Sequence, residues 1–108
     1  MNKEAILKQL GYIPNEALLS QFDRIVNNTK SFDKIQKHIL DLNEHLKVDD
    51  SHVTMSNSED YFKIKIEAPS PERTEEAMEK VHHFADKYKV ALKQVAGKNT
   101  FYILGFEK

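Results

Sequence analysis

The sequence predicts an α+β fold in which a helical N-terminal segment packs with a C-terminal ββαββ unit. Apolar residues recur every three or four positions as far as Leu46, and from Val53 onward they alternate with polar residues. The first spacing is typical of amphipathic helices and the second of strands with one buried face. We therefore expect a single domain over 1–108, with a helical half over 1–48. The other half, 51–108, should form a four-stranded, mainly antiparallel sheet.

Three helices are predicted in the N-terminal half. The first should end at Gly11, because glycine readily takes the left-handed conformation that closes a helix, and Asn15 suits the N-cap of the second. Ser31 should cap the third helix, whose apolar residues are Phe32, Ile35, Ile39, Leu42 and Leu46. The short Thr29-Lys30 connection favours an antiparallel hairpin of the second and third helices.

The C-terminal half shows four strand patterns and one helix. The stretch Tyr61 to Ala68 alternates strictly, with apolar side chains on one side and polar or tyrosine side chains on the other. Ser70-Pro71 then marks a helix start, since a hydroxyl N-cap and a proline in the first turn both favour it. Two strands follow, Val90 to Ala96 and Thr100 to Phe106, and a glycine turn joins them.

The last strand is apolar on both faces. Phe101 and Ile103 should point one way, and Tyr102, Leu104 and Phe106 the other. Such a strand belongs in the middle of a sheet that is covered on both sides. The C-terminal helix covers one side. The second cover is either the N-terminal helices, which gives three layers, or another molecule, which means a homodimer or a protein partner.

The motifs of the common catalytic classes are absent from the sequence. No cysteine is present, so thiol nucleophiles, disulfides and thiolate metal sites are excluded. The three glycines (Gly11, Gly97 and Gly105) lie too far apart to form a phosphate-binding loop. We therefore expect a non-enzymatic protein with no catalytic residues and no cofactor.

Histidines and acids share helix faces at spacings of three or four residues. The sets are His38, Asp41 and His45, then Glu79 with His83, and His82 with Asp86. Each set could bind a metal ion weakly, but none has the complete ligand number of a zinc site. Exposed helices rich in charged residues produce such spacings by chance, so we predict no metal site.

The favoured function is a small protein-interaction or regulatory module that acts through a sheet face, with self-association as one form. The candidate partner-binding residues are Tyr102, Leu104 and Phe106. The alternative is a weak nucleic-acid-binding domain that uses Tyr61, Lys63, Lys65 and Lys93, because tyrosine and lysine on a sheet can stack bases and hold phosphates. A net charge of -1 and only two arginines weaken that alternative.

Composition and hydropathy bear on location. With 40% hydrophobic and 31% charged residues, the chain is too apolar for a disordered protein. Its longest nearly apolar stretch, 101–106, is far too short to span a bilayer. The absence of cysteine fits a reducing compartment. We expect a soluble, cytoplasmic protein with no membrane partner.

Overall fold

The predicted α+β architecture is confirmed in the computed structural model, which describes residues 2–107. Four helices and a four-stranded antiparallel sheet lie in that range. In chain order the elements are α1 Lys3–Gln9, α2 Glu16–Asn28, α3 Phe32–Leu46, a short 3₁₀ turn Lys47–Asp49, β1 His52–Met55, β2 Phe62–Lys65, α4 Pro71–Tyr88, β3 Val90–Gln94 and β4 Thr100–Phe106.

The end of α1 is the left-handed glycine that the sequence predicts. Gly11 has a φ of +93° and donates its N–H to the Lys8 carbonyl over 3.0 Å. The N–H of Tyr12 reaches back to the Leu7 carbonyl over 2.9 Å. These two bonds together form a Schellman motif, which satisfies carbonyls at the helix end. The motif turns the chain so that Tyr12 returns to the body of the protein.

Two of the predicted helix starts are also confirmed. Asn15 Oδ1 accepts a 2.8 Å hydrogen bond from the Leu18 N–H at the start of α2. Ser70 Oγ accepts a 3.3 Å bond from the Arg73 N–H at the start of α4, where Pro71 is the first helical residue. Such caps satisfy N–H groups that have no partner inside the helix.

The predicted hairpin of α2 and α3 is wrong. The two helices meet at Phe22 and Phe32, whose ring centres are 6.1 Å apart, but α3 packs mainly along α4 and β1. Thr29 and Lys30 are not a simple helix–helix turn, because Lys30 is bound to β4. Ser31 then enters α3 in a left-handed conformation (φ +50°) and forms no side-chain cap, unlike the prediction for this residue.

The strands lie in the order β1-β2-β4-β3, so β4 is central as predicted. Phe62 pairs with Ile103 and Ile64 with Phe101 between β2 and β4. All four side chains are buried. Together they form the inner face of the sheet and the middle of the hydrophobic core.

All four helices contribute buried residues to that one core. The ring centres of Phe22 in α2 and Phe32 in α3 lie 5.9 and 5.6 Å from that of Phe62. His82 in α4 approaches Phe101 on the same face, with ring centres 6.1 Å apart. The expected three-layer arrangement is therefore wrong. The domain has two layers, and no helix of the described chain lies over the opposite face.

A bulge interrupts the pairing of β3 with β4. Leu92 pairs with Ile103 and Ala91 with Gly105, so Leu104 is an extra residue between the two pairs. An extra residue shifts the alternation of a strand by one position. As a result Phe106 pairs with buried Val90 and packs against the core.

The pairing of β2 with β4 ends at Ile103. Beyond that point the α2–α3 connection lies along the same edge of β4. Lys30 donates its N–H to the Leu104 carbonyl over 3.3 Å and accepts the Phe106 N–H at 2.8 Å, as a parallel bridge opposite Gly105. Gly105 has a φ of +140°, and a Cβ there would lie 2.5 Å from the Lys30 nitrogen. Only glycine combines this backbone conformation with so close an approach.

The outer edge of β1 is closed by side chains. The Val53 N–H donates to Asn43 Oδ1 over 2.8 Å, and the Met55 N–H donates to the Tyr12 hydroxyl over 3.0 Å. The Tyr12 hydroxyl also bonds to the Thr54 hydroxyl. An edge whose N–H groups are occupied cannot easily pair with a strand from another molecule.

Candidate interaction face on the sheet

The sheet has a second face that points away from the helices. On β2 and β4 the residues alternate between buried and half-buried positions, as expected when successive side chains point to opposite sides. We call the half-buried side, with Lys93 of β3, the outer face. Its members are Tyr61, Lys63, Lys65, Lys93, Tyr102 and Leu104.

The predicted interaction and nucleic-acid residues are therefore neighbours on this face, with one exception. Lys63 of β2 and Lys93 of β3 each pair with Tyr102 of β4, from opposite sides. Side chains on directly paired residues have their Cβ atoms about 5 Å apart. A tyrosine thus lies between two lysines at the centre of the sheet.

The exception is Phe106, which does not share the outer face with Tyr102 and Leu104. The bulge at Leu104 turns Phe106 toward the core, where the Lys34 ammonium of α3 lies 5.2 Å from its ring centre. The expectation that the three side chains point the same way is wrong, and the isolated Gly105 within the strand pattern was the available sign of the bulge.

The two tyrosines of the outer face contact each other. The ring centres of Tyr61 and Tyr102 are 5.8 Å apart, and the ring planes are tilted by 42°. The Tyr102 hydroxyl lies 3.4 Å from the Ser58 hydroxyl in the β1–β2 turn. This contact covers part of each ring and fixes the Tyr102 side chain above the middle of the sheet.

The outer face is locally basic although the whole chain is not. The four strands contain three lysines and no acidic residue. Two acids at the margins have neighbours of their own: Glu67 lies 3.7 Å from His52, and Asp60 lies 3.7 Å from Arg24. The three lysines of the strands favour an anionic partner at this face.

A groove borders the outer face along β1. It has a volume of about 240 Å³ and lies between Tyr12 and Leu18 on one side and Lys63 and Lys65 on the other. Its position extends the basic face toward the start of α2.

The histidine sets lie at different places on α3 and α4. No group of three or more metal-binding side chains occurs within residues 2–107. His38, Asp41, His45 and His83 instead line a cleft between α3 and α4. His82 is exposed, and its ring centre lies 6.1 Å from that of Phe101.

The sequence patterns miss a buried ion pair. Asp49, which looks like a linker residue in the sequence, is 1% exposed, and its Oδ2 accepts a 2.8 Å hydrogen bond from Lys80 Nζ. This hydrogen bond lowers the pKa of the Asp49 carboxyl, the charge of Arg73 lowers it further, and burial opposes both effects. The pair ties the end of α3 to α4. The consecutive aspartates Asp49 and Asp50 before β1 are the one sequence feature that could have indicated this ion pair.

The fold and the outer face together define a small two-layer α+β domain with one uncovered, basic sheet surface. No helix in the described range is long and apolar enough to cross a bilayer. Comparison with protein-family models, with curated proteins and with solved structures finds no match to this chain.

Proposed function

We propose that this protein is a non-enzymatic, cytoplasmic interaction module that binds an acidic segment of another protein on its outer face. The observation that carries the proposal is the row of half-buried Lys63, half-buried Tyr102 and exposed Lys93 across three adjacent strands. Leu104 lies beside this row and is half-buried. Carboxylates of a partner would pair with the lysines, and an apolar side chain would rest on Tyr102 and Leu104.

Self-association through the outer face is the weaker form of this proposal. In a face-to-face dimer the three lysines of one copy would lie against those of the other, and like charges at close range oppose association. An acidic partner has no such cost. The edge of β1 is also closed by Asn43 and Tyr12, which removes one route to strand pairing between copies.

Single-stranded nucleic acid is the second candidate, because a tyrosine between two lysines is an arrangement that can hold a base and its phosphates. Two features favour a protein partner instead. The tilted contact of Tyr61 with Tyr102 leaves neither ring fully open for stacking. The two arginines, Arg24 and Arg73, lie on helices and not on the strands of this face.

The test is a titration of the isotope-labelled protein followed by two-dimensional NMR. The probes are a peptide rich in glutamate and leucine, the same peptide with glutamine in place of glutamate, and a single-stranded oligothymidine. The proposal expects the acidic peptide to shift resonances of β2, β3 and β4, and to lose about tenfold in affinity with the double variant Lys63→Glu and Lys65→Glu.

Lys37→Glu is the matched control, since Lys37 is an exposed lysine on α3 away from the sheet. It should leave the affinity within about twofold. Tighter binding of the oligothymidine than of the acidic peptide would favour the nucleic-acid function. Shifts that avoid the sheet, or an equal response to the glutamine peptide, would overturn the proposal.

A further inference from the structure

A cleft between α3 and α4 lies on the helical side of the molecule, away from the outer face. Its volume is about 370 Å³, which falls within the usual size of small-molecule sites. The buried side chains of Leu42 and Phe84 belong to its lining and give it an apolar floor. One wall is formed by His38 and Tyr88, whose rings stack with centres 3.6 Å apart and planes 10° apart.

Lys80 supplies a fixed cation at one end of the cleft. Its ammonium donates to Asp49 Oδ2 over 2.8 Å and to the His45 carbonyl over 3.1 Å. An ammonium has three N–H donors, so one donor is left for the cleft. The two bonds hold the Lys80 side chain in place, which lowers the entropy cost of binding a ligand there.

Lys87 supplies a second cation at the other end. Its ammonium lies 5.4 Å from the centre of the Tyr88 ring, next to the stacked wall. The remaining groups that face the cleft are three imidazoles (His38 and His45 of α3, His83 of α4) and one acid, Asp41. Glu76 and Glu79 lie beside His83 on the same helix, and Asp49 offsets the charge of Lys80.

From these positions we propose that the α3–α4 cleft binds a small aromatic anion. A flat ring would lie on Leu42 and Phe84 beside the His38–Tyr88 stack, and its acidic group would accept hydrogen bonds from Lys80, Lys87 and His83. Two ammonium groups, those of Lys80 and Lys87, line the cleft with a single carboxylate, Asp41, and these donors favour an anionic ligand. This inference is independent of the outer face.

Benzenesulfonate is a suitable probe because it is a flat aromatic anion with a fixed negative charge. Titration of the whole protein by NMR should shift resonances of α3 and α4 and leave β2 unaffected. Neutral benzenesulfonamide should bind at least about tenfold more weakly than benzenesulfonate.

The consecutive residues His82 and His83 test whether a histidine must line the cleft to affect binding. His83→Gln should weaken benzenesulfonate binding several-fold, as should Lys87→Gln. His82→Gln should not, because His82 faces Phe101 instead of the cleft. Equal binding of the neutral sulfonamide, an equal effect of His82→Gln and His83→Gln, or the absence of shifts in α3 and α4 would each overturn the proposal.

Discussion

The two faces of one sheet have opposite physical roles in this protein. Ile103 and Leu104 are consecutive residues of β4, yet Ile103 is fully buried beneath the helices and Leu104 is half-buried on the outer face. The inner face is almost entirely apolar and contributes to folding. The outer face mixes lysine, tyrosine and leucine and is left without a helix. The comparison predicts that stability and the proposed binding can be changed separately along a single strand.

Substitution of the inner face should have the largest effect on stability. Ile103→Ala removes a fully buried side chain from the centre of the core, and such changes cost about 4 kcal/mol of unfolding free energy. Urea denaturation followed by circular dichroism measures the loss. A cost below about 1 kcal/mol would mean that the core does not centre on β4.

Gly105 is the residue of β4 to which the α2–α3 connection binds, through the bridge with Lys30. Gly105→Ala should cost about 3 kcal/mol, since an alanine there has an unfavourable φ and its Cβ meets the Lys30 backbone. Gly97 is the matched control: its φ is +74° but a Cβ would meet nothing within 4 Å. Gly97→Ala should cost only about 1 kcal/mol in the same denaturation assay. Equal costs would show that Lys30 does not constrain the strand.

Asp49 carries the only buried carboxylate among the described residues, and its substitution tests the ion pair with Lys80. Asp49→Asn should cost about 2 kcal/mol, because it weakens a charged hydrogen bond to Lys80. Asp50→Asn is the control, since Asp50 is exposed and lies 3.8 Å from Arg73, and it should cost less than about 0.5 kcal/mol.

Asp49 should also make the free energy of unfolding depend on pH. The pKa of Asp49 is lower in the folded protein than in the unfolded chain, so its stabilising effect is complete above the ordinary aspartate value of about 3.9. The effect is lost as the pH falls from there through the folded-state pKa. Stability measured at decreasing pH should therefore fall less steeply for Asp49→Asn. Parallel pH profiles would show that the ion pair has no role in acid unfolding.

The smallest effect on stability is expected on the outer face. Leu104→Asp should leave the protein folded, with a loss below about 1 kcal/mol, because no helix covers this side chain. Binding of the acidic peptide should nevertheless fall about tenfold, since a carboxylate is added next to Tyr102. Unfolding of this variant would show that Leu104 lies beneath another part of the chain, and that the two faces are not independent.

Much of this fold follows from local patterns. The helix ends at Gly11, Asn15 and Ser70 are set by backbone conformation and side-chain caps within a few residues, and each was predictable for that reason. The outer-face residues of β2 were also predictable, because alternation along a strand decides which side chains share a side. Sequence reasoning thus found both halves of the candidate site, but not the strand order that sets Tyr102 between Lys63 and Lys93.

Long-range pairing decided the rest. The bulge that turns Phe106 inward, the bridge from Lys30 to Gly105 and the burial of Asp49 against Lys80 each join residues far apart in the sequence. The choice of one helical layer also depended on such contacts, because an apolar strand pattern does not show on which side each helix will pack. The sequence alone determined the order of the elements and the polarity of their faces. Only the tertiary structure decided which face stays open, since that depends on how distant segments share one core.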